Sequence, residues 1–403
     1  MGKVFDIYLA RQDQPDSGAC AELSLPATPY EMRDAIDKLR LAEGEIPYWE
    51  ITEYHQFEEL SSVLNDNCGL QDLNALAQKL SELDEQQCTA FVGLLAIEHR
   101  KNQPIPISSL IDIAHNTDCC HVVDTALNDS QLGLFCAENG FLPELENLPD
   151  AAFNLLDFER IGREYRLREG GVFMERSADH PGGYAEQCDV LAEVYKSLDL
   201  TPKTPDYAIL LEVSKGFFDD AGYDSGKSVQ LKLPVSQETL DTVLESVEAW
   251  DWREVGWSCL DCRAPALADI ISDTEEGIDF LNQMAQGLAD LEPQALTAYK
   301  ALLEATDCKD LRSAETLMDS LDNYIFSPQY SSPIEVAKGK LSVVLCAEAV
   351  ETLTPHLNLY SYGQALIEKC GGVLTPYGLI EREDHQSVLS AENMPRQGGM
   401  EMK

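Results

Sequence analysis

Long apolar runs are the first thing this chain lacks. None of its stretches approaches the length that crosses a bilayer as a helix, and the opening MGKVFDIYLARQ has no apolar signal-peptide core, so a membrane partner is not expected. Cations are scarce too. Lys and Arg number 29 against 71 Asp and Glu, a formal net charge of −42, and no basic patch interleaved with aromatics is present for gripping nucleic acid directly. The 12 cysteines are scattered rather than spaced as a disulfide framework, which suits a reducing cytoplasm. Catalytic signatures are missing as well: the histidines at 55, 99, 115, 121, 180, 356 and 385 adjoin no nucleophile motif such as GxSxG.

What is present is a duplication. Leu73–Leu95, LNALAQKLSELDEQQCTAFVGLL, recurs at Leu281–Leu303 as LNQMAQGLADLEPQALTAYKALL, at a fixed offset of 208 residues. Apolar positions 73, 76, 77, 80 and 83 follow helical spacing, so the first half is an amphipathic helix. Asp84, with Gln87 three residues on, reads as the capping box that opens a second helix. The copy places Pro293 at the first helical position, where a missing N–H costs nothing.

The rest of the chain repeats in order. VFDIYLA and CAELSLP form a hairpin in the first copy, YAILLEV and SVQLKLP in the second, with Pro26 and Pro234 again 208 apart. Helices follow at Tyr30–Leu39 and Glu238–Val247, then acidic segments rich in aromatics. Residues 41–98 hold twelve carboxylates and one lysine. Later, a helix stopped by Gly170 or Gly371 precedes a short strand in each copy. The expected fold is therefore α+β: two tandem copies of a small mixed unit, elongated overall. The boundaries are 1–178 for the first unit, 179–204 for a linker with a short helix, 205–383 for the second unit and 384–403 for a flexible tail.

Candidate chemistry is weak at each place it surfaces. AGYDSGKS at 221–228 fits a relaxed Walker A pattern, but a P-loop must open a helix, whereas VQLKLP alternates as a strand. The equivalent first-copy turn has Ala19 where Lys227 stands, so a hairpin turn explains both and a nucleotide hydrolase is a remote reading. DDAGYDSG at 219–226 lacks the ligand spacing and terminal Glu of an EF-hand. Cys259 and Cys262 form a lone CxxC, and Cys119-Cys120-His121 has no counterpart in the other copy. Structural zinc wants four ligands, so no metal and no cofactor is expected. The aromatics at 48, 49, 54, 250, 252 and 257 either close the sheet of each unit or line a contact surface.

The acidity itself has competing explanations: plain solubility or salt adaptation, metal buffering, or imitation of nucleic acid. Duplex DNA carries two charges per base pair, so −42 matches roughly 21 base pairs. Helical carboxylates three or four residues apart lie about 5–6 Å from each other, a spacing of the order of neighbouring phosphates.

Taken together, VFDIYLARQDQPDSGACAELSLPAT, the helix EMRDAIDKL, the run LNALAQKLSELDEQQCTAF and REGGVF resemble the ArdA family of antirestriction proteins of mobile elements. The resemblance covers roughly residues 4–176 and, more faintly, 207–381. It implies a non-enzymatic, acidic protein in a bacterial cytoplasm that imitates bent B-form DNA and occupies the DNA groove of a type I restriction–modification enzyme. This chain departs from the family in being a tandem. Homodimer and intrachain pseudo-dimer both stay open, and the target could equally be a CRISPR effector or another defence complex. The expected contact surface is Glu43, Glu45, Glu50, Glu53, Glu58, Glu59, Asp66, Asp72, Glu82, Asp84 and Glu85 in the first unit. In the second it is Asp241, Glu245, Glu248, Asp251, Glu254, Asp269, Asp273, Glu275, Glu276, Asp279, Asp290 and Glu292. The rival from another class is an acidic scaffold that binds a basic protein through the aromatic segments without imitating DNA.

Overall fold

The computed structural model describes residues 2–12, 19–41, 44–64, 68–101, 104–142, 149–176, 181–216 and 228–389. The expected turn at 15–18, the Walker-like Lys227, the EF-like stretch and most of the tail lie outside them.

Chain order in the first copy is β1 (Phe5–Arg11), β2 (Cys20–Leu25), α1 (Pro29–Leu39), β3 (Pro47–Glu53), α2 (Leu70–Ser81), α3 (Glu85–His99) and α4 (Ile107–His115). It continues with β4 (Cys120–Val123), α5 (Asp129–Glu138), α6 (Asp150–Phe153), α7 (Phe158–Glu169), β5 (Val172–Met174) and β6 (Gly183–Gln187). The second copy has β7 (Ile209–Lys215), β8 (Ser228–Leu233), α8 (Gln237–Ser246), β9 (Val255–Cys262), α9 (Ala268–Ser272), α10 (Ile278–Asp290), α11 (Pro293–Thr306) and α12 (Leu311–Asp319). It ends with β10 (Tyr324–Ser327), α13 (Pro333–Val344), α14 (Ala347–Leu353), α15 (Leu359–Cys370), β11 (Val373–Thr375) and β12 (Gly378–Arg382). The architecture is mixed α+β.

Sheet topology repeats as the sequence does. Strand order β2-β1-β3 recurs as β8-β7-β9, and β4-β6-β5 recurs as β10-β12-β11. In the second hairpin the antiparallel register runs from Ile209 opposite Leu233 to Ser214 opposite Ser228, and a bulge at Leu210/Leu211 bends the pairing with β9. The helix pair also follows the expected spacing. Leu73, Leu76, Ala77 and Leu80 are the buried stripe of α2, and Leu281, Met284, Ala285 and Leu288 that of α10. Asp84 Oδ1 accepts from the Gln87 N–H at 2.8 Å while Gln87 Oε1 accepts from the Asp84 N–H at 3.0 Å, closing the capping box. Gly170 and Gly371 end α7 and α15 at φ 74° and 64°, the left-handed conformation that glycine adopts without a Cβ penalty.

One fixture shared by both copies ties hairpin to helix pair. After Pro26 and Pro234, both preceded by cis bonds, the chain is held by an asparagine from the following helix pair. Asn74 receives the Ala27 N–H (2.7 Å) and donates to the Ala27 carbonyl (3.0 Å); Asn282 does the same for Val235 at 2.8 and 2.9 Å. Each amide thereby satisfies two backbone groups that no strand neighbour reaches. Asn74→Ala and Asn282→Ala are each expected to cost about 1–3 kcal/mol, read by urea unfolding of the full chain. Unchanged midpoints in both variants would refute the clamp.

Packing divides the chain differently from the repeat. One compact unit comprises Met1–Ile7, Ser24–Ala27 and Glu50–Pro202, the other Tyr8–Leu23, Thr28–Trp49 and Lys203–Lys403. α1, a first-copy element by sequence, therefore packs within the second unit. There Tyr30 Oη donates to the Tyr207 carbonyl, and Thr28 Oγ1 donates to Asp261 Oδ1 at 2.6 Å. The core of that unit gathers Leu211, Val213 and Leu233 of the hairpin with Leu281, Leu288, Tyr299, Leu302 and Ile380. In the other unit a satellite core surrounds Tyr184, Tyr165, Leu132 and Cys136.

The stretch 179–204, expected as a connector with a short helix, contributes the central strand β6 as well as a short 3₁₀ helix at Tyr195–Ser197. β6 is fixed by its neighbours: Tyr184 lies opposite both Val123 and Phe173. At its start Gly183 has φ 127°, and a Cβ there would sit 2.6 Å from the Val123 carbonyl oxygen, so only glycine lets the strand approach β4 this closely.

Candidate functional site

The described candidate carboxylates all keep contact with solvent. Every one is exposed except Glu59, Asp72, Asp251 and Glu276, which are half-buried; Glu43 and Asp66 lie outside the described residues. Local backbone explains much of this placement. Asp72 and Asp279 sit in the first turns of α2 and α10, Asp84 and Glu292 at the N-caps of α3 and α11, Glu85 in the first turn of α3, and Asp269 in the first turn of α9. Helix N-termini stabilise negative charge through the dipole and free N–H groups, so these acids serve the fold as well as the surface. Glu50 and Glu53 are on β3, Glu58 and Glu59 on the 3₁₀ turn Glu58–Ser62, and Asp241 and Glu245 on α8.

Several already have partners within their own unit. Asp72 receives Tyr195 Oη at 2.9 Å and the Gly69 N–H at 3.1 Å. Glu82 pairs with Lys79 at 3.5 Å, and Glu45 with Arg11 at 3.8 Å. The Arg253 guanidinium beside Asp251 pulls that carboxyl down to about 2. Asp269, Asp273, Glu275 and Glu276 are brought together, with Asp310, around a cleft of about 360 Å³ that Lys309 and Arg312 also line. Arg312 holds Glu276 in a two-pronged bond of 2.7 and 2.7 Å, so this cleft is a mixed-charge surface rather than a bare anionic stripe.

Two of the carboxylate positions shared by the copies flank the turn between the paired helices. Glu82 at the C-cap of α2 corresponds to Asp290 at the end of α10, and Asp84 to Glu292, at the offset of 208; all four are exposed. The turn between the paired helices thus presents two acids at equivalent places in each copy.

The aromatics separate cleanly. Tyr54 packs edge-on to Phe5 at 5.8 Å, Trp252 packs against the second unit's core, and Trp257 is half-buried with Nε1 donating to the Ile271 carbonyl at 3.1 Å. Trp49, its equivalent 208 residues earlier, is half-buried too. These rings close their sheets. Tyr48 at 40% exposure and Trp250 at 91% do not.

Cys259 and Cys262 are free thiols. Burial pushes both up, that of Cys262 to about 12, so neither is poised as a thiolate. Cys119 and Cys120 are likewise free and raised by burial, while His121 stacks on Phe141 and lies 3.3 Å from Glu186. Asp6, Glu53 and His55 place their ligand atoms within 4.8 Å of one another. Asp6 faces His55 Nε2 at 3.1 Å and Glu53 faces Nδ1 at 3.7 Å. The two carboxylates therefore flank opposite ring nitrogens of His55.

Two buried charges have partners that no local spacing indicates. Lys300 is 3% exposed and contacts Asp34 at 2.8 Å and Asp37 at 3.1 Å, inside a chain where most charges face water. Glu186, also buried, accepts from Tyr165 and Tyr184 hydroxyls at 2.9 Å each. By spacing Lys300 falls on the stripe Leu296, Tyr299 and Leu303, and it aligns with the buried Val92 of the first copy; what the local sequence does not show is the pair of carboxylates that α1 brings to it.

Fold and surface together define a class: an internally duplicated, strongly acidic α+β protein whose described candidate carboxylates all reach solvent. No protein-family model matches the chain, and no curated protein matches it.

Proposed function

We propose that this chain is a non-catalytic inhibitor that imitates DNA and occupies the DNA-binding groove of a bacterial defence enzyme, either a type I restriction–modification enzyme or a CRISPR effector complex. The observation that carries the reading is the pair of exposed acids, Glu82 with Asp84 and Asp290 with Glu292, at equivalent turns of the two copies. A duplicated surface that repeats its charges suits a partner whose own cations are arranged to meet a repeating phosphate chain. The net charge of −42 supports it, as does the resemblance to the ArdA family. Such an excess of one sign strains the compact state by self-repulsion, a cost most readily understood if the acidic surface is used.

The physics of binding follows from the partner's side. Lys and Arg that neutralise phosphates meet carboxylates here, and long-range attraction speeds encounter at low ionic strength. The test is competition. With a purified type I enzyme and a labelled duplex, the chain is expected to displace DNA, and its affinity to fall roughly tenfold or more between about 50 and 200 mM salt. The combined variant Glu82→Gln, Asp84→Asn, Asp290→Asn, Glu292→Gln is expected to weaken displacement about tenfold, since four exposed charges each contribute up to about 1 kcal/mol. Asn keeps the N-cap at 84, so folding is preserved. Binding to a basic partner without any displacement by duplex DNA would instead favour the acidic scaffold.

A further inference from the structure

We infer that Trp250 and the acids of its turn form a seat for an arginine side chain of the partner, the aromatic anchor of an otherwise electrostatic surface. The inference rests on the reading that this acidic chain meets a basic protein surface.

Trp250 is 91% exposed, and nothing in the fold requires it. The tryptophan that both copies need is the one at 49 and 257, half-buried each time; at the position equivalent to Trp250 the first copy has Ala42. An indole is the most expensive side chain to leave in water, and exposed aromatics on a firm support are where binding energy concentrates. The support here is firm. The Ala249 N–H bonds the Leu244 carbonyl at 3.0 Å, closing the end of α8, and the Trp250 N–H reaches Glu254 Oε2 at 3.3 Å. Lys215 Nζ bonds the Glu248 carbonyl at 2.8 Å and lies 3.9 Å from Glu254.

Charge selects the occupant. The turn carries Glu245, Glu248, Asp251 and Glu254 against Lys215 and Arg253, and Arg253 is held by Asp251. A turn of net negative charge that also carries an exposed indole suits a cation. A guanidinium fits better than an ammonium, because its plane stacks on the indole while its edge donates in a fork to a carboxylate.

The experiment uses the full chain, labelled with ¹⁵N, and reads the indole N–H resonances. Trp250→Phe removes one resonance and so assigns it; Trp252 and Trp257 serve as internal controls. Titration with tetra-arginine peptide is expected to shift the Trp250 resonance while leaving those two in place. Half-saturation should come at a concentration about threefold or more below that for tetra-lysine peptide of equal charge. A Trp250 resonance that does not move, or that responds equally to both peptides, overturns the proposal. The DNA-displacement assay fails or succeeds independently: loss of displacement with arginine selectivity intact sinks the mimicry alone, and the reverse outcome sinks only this seat.

Discussion

Lys300→Met is expected to destabilise the second compact unit by about 3 kcal/mol, the lower end of what breaking a buried ion pair costs. The ammonium is 3% exposed and Asp34 6% exposed, so neither is hydrated enough to stand alone. Asp34 also receives Lys38 at 3.0 Å and Tyr377 Oη at 2.9 and 3.0 Å, and Lys38 sits 5.4 Å above the Tyr377 ring. Those remaining partners keep the loss from reaching the upper end of the range. Lys38→Ala, at a half-exposed side chain, should cost only about 1 kcal/mol. Urea unfolding of both variants followed by circular dichroism makes the comparison, and a Lys300→Met loss no greater than that of Lys38→Ala would refute the ranking.

Acid should shrink the difference. Burial alone raises the Asp34 carboxyl, but Lys300 and Lys38 outweigh it and hold it below its ordinary 3.8. A folded-state value below the unfolded one means stability that is present above about pH 4 and is lost as pH falls through the depressed value. The gap between wild type and Lys300→Met is thus expected to be full at pH 7 and to close in strong acid. Asp261 runs the other way. Burial raises it despite bonds from Thr28 and Tyr207, so its contribution is present in acid and is lost as pH rises through the raised value. The acid limb of the unfolding curve should therefore be shallower than Asp34 alone would produce.

The second large effect lies where helices touch through glycine. A Cβ on Gly162 of α7 would stand 1.8 Å from the Asp129 carbonyl oxygen of α5, and a Cβ on Gly363 of α15 would stand 1.7 Å from that of Pro333 in α13. Backbone cannot yield as a side chain can. Gly162→Ala and Gly363→Ala are each expected to cost about 2–3 kcal/mol by overpacking, well beyond the gain of about 1 kcal/mol in helix propensity. Gly133 provides the contrast. A Cβ there would lie 1.8 Å from the Phe158 carbonyl oxygen, yet the corresponding residue of the second copy is the fully buried Ala337. The crossing accepts a methyl group at that place once the helices are slightly re-seated. Gly133→Ala should accordingly lose less than Gly162→Ala in thermal unfolding; equal losses would show that each crossing is rigid in its own way.

The duplication, the helix pairs, their caps and the outward acids were all legible in the sequence, because each rests on spacing within a few residues. Periodicity at 73, 76, 77 and 80 names a buried face whatever it packs against. Asp84 with Gln87, Pro293, and the glycines at 170 and 371 act on their own backbone. Charge at −42 needs no structure at all. Tertiary structure decided what depends on distant partners. β6 has five residues and little alternation, and it is a strand because β4 and β5 supply its hydrogen bonds on both edges. The charge of Lys300 is held in the core because α1, more than 250 positions earlier, delivers Asp34 and Asp37 to it. Among six aromatics of the same acidic segments, the duplication sets Trp257, repeated as Trp49, apart from Trp250, which stands opposite Ala42, but only burial shows that the first closes a sheet and the second faces water. No local pattern encodes that difference, since both follow acidic neighbours in similar company; it arises from where the turn after α8 leaves the core.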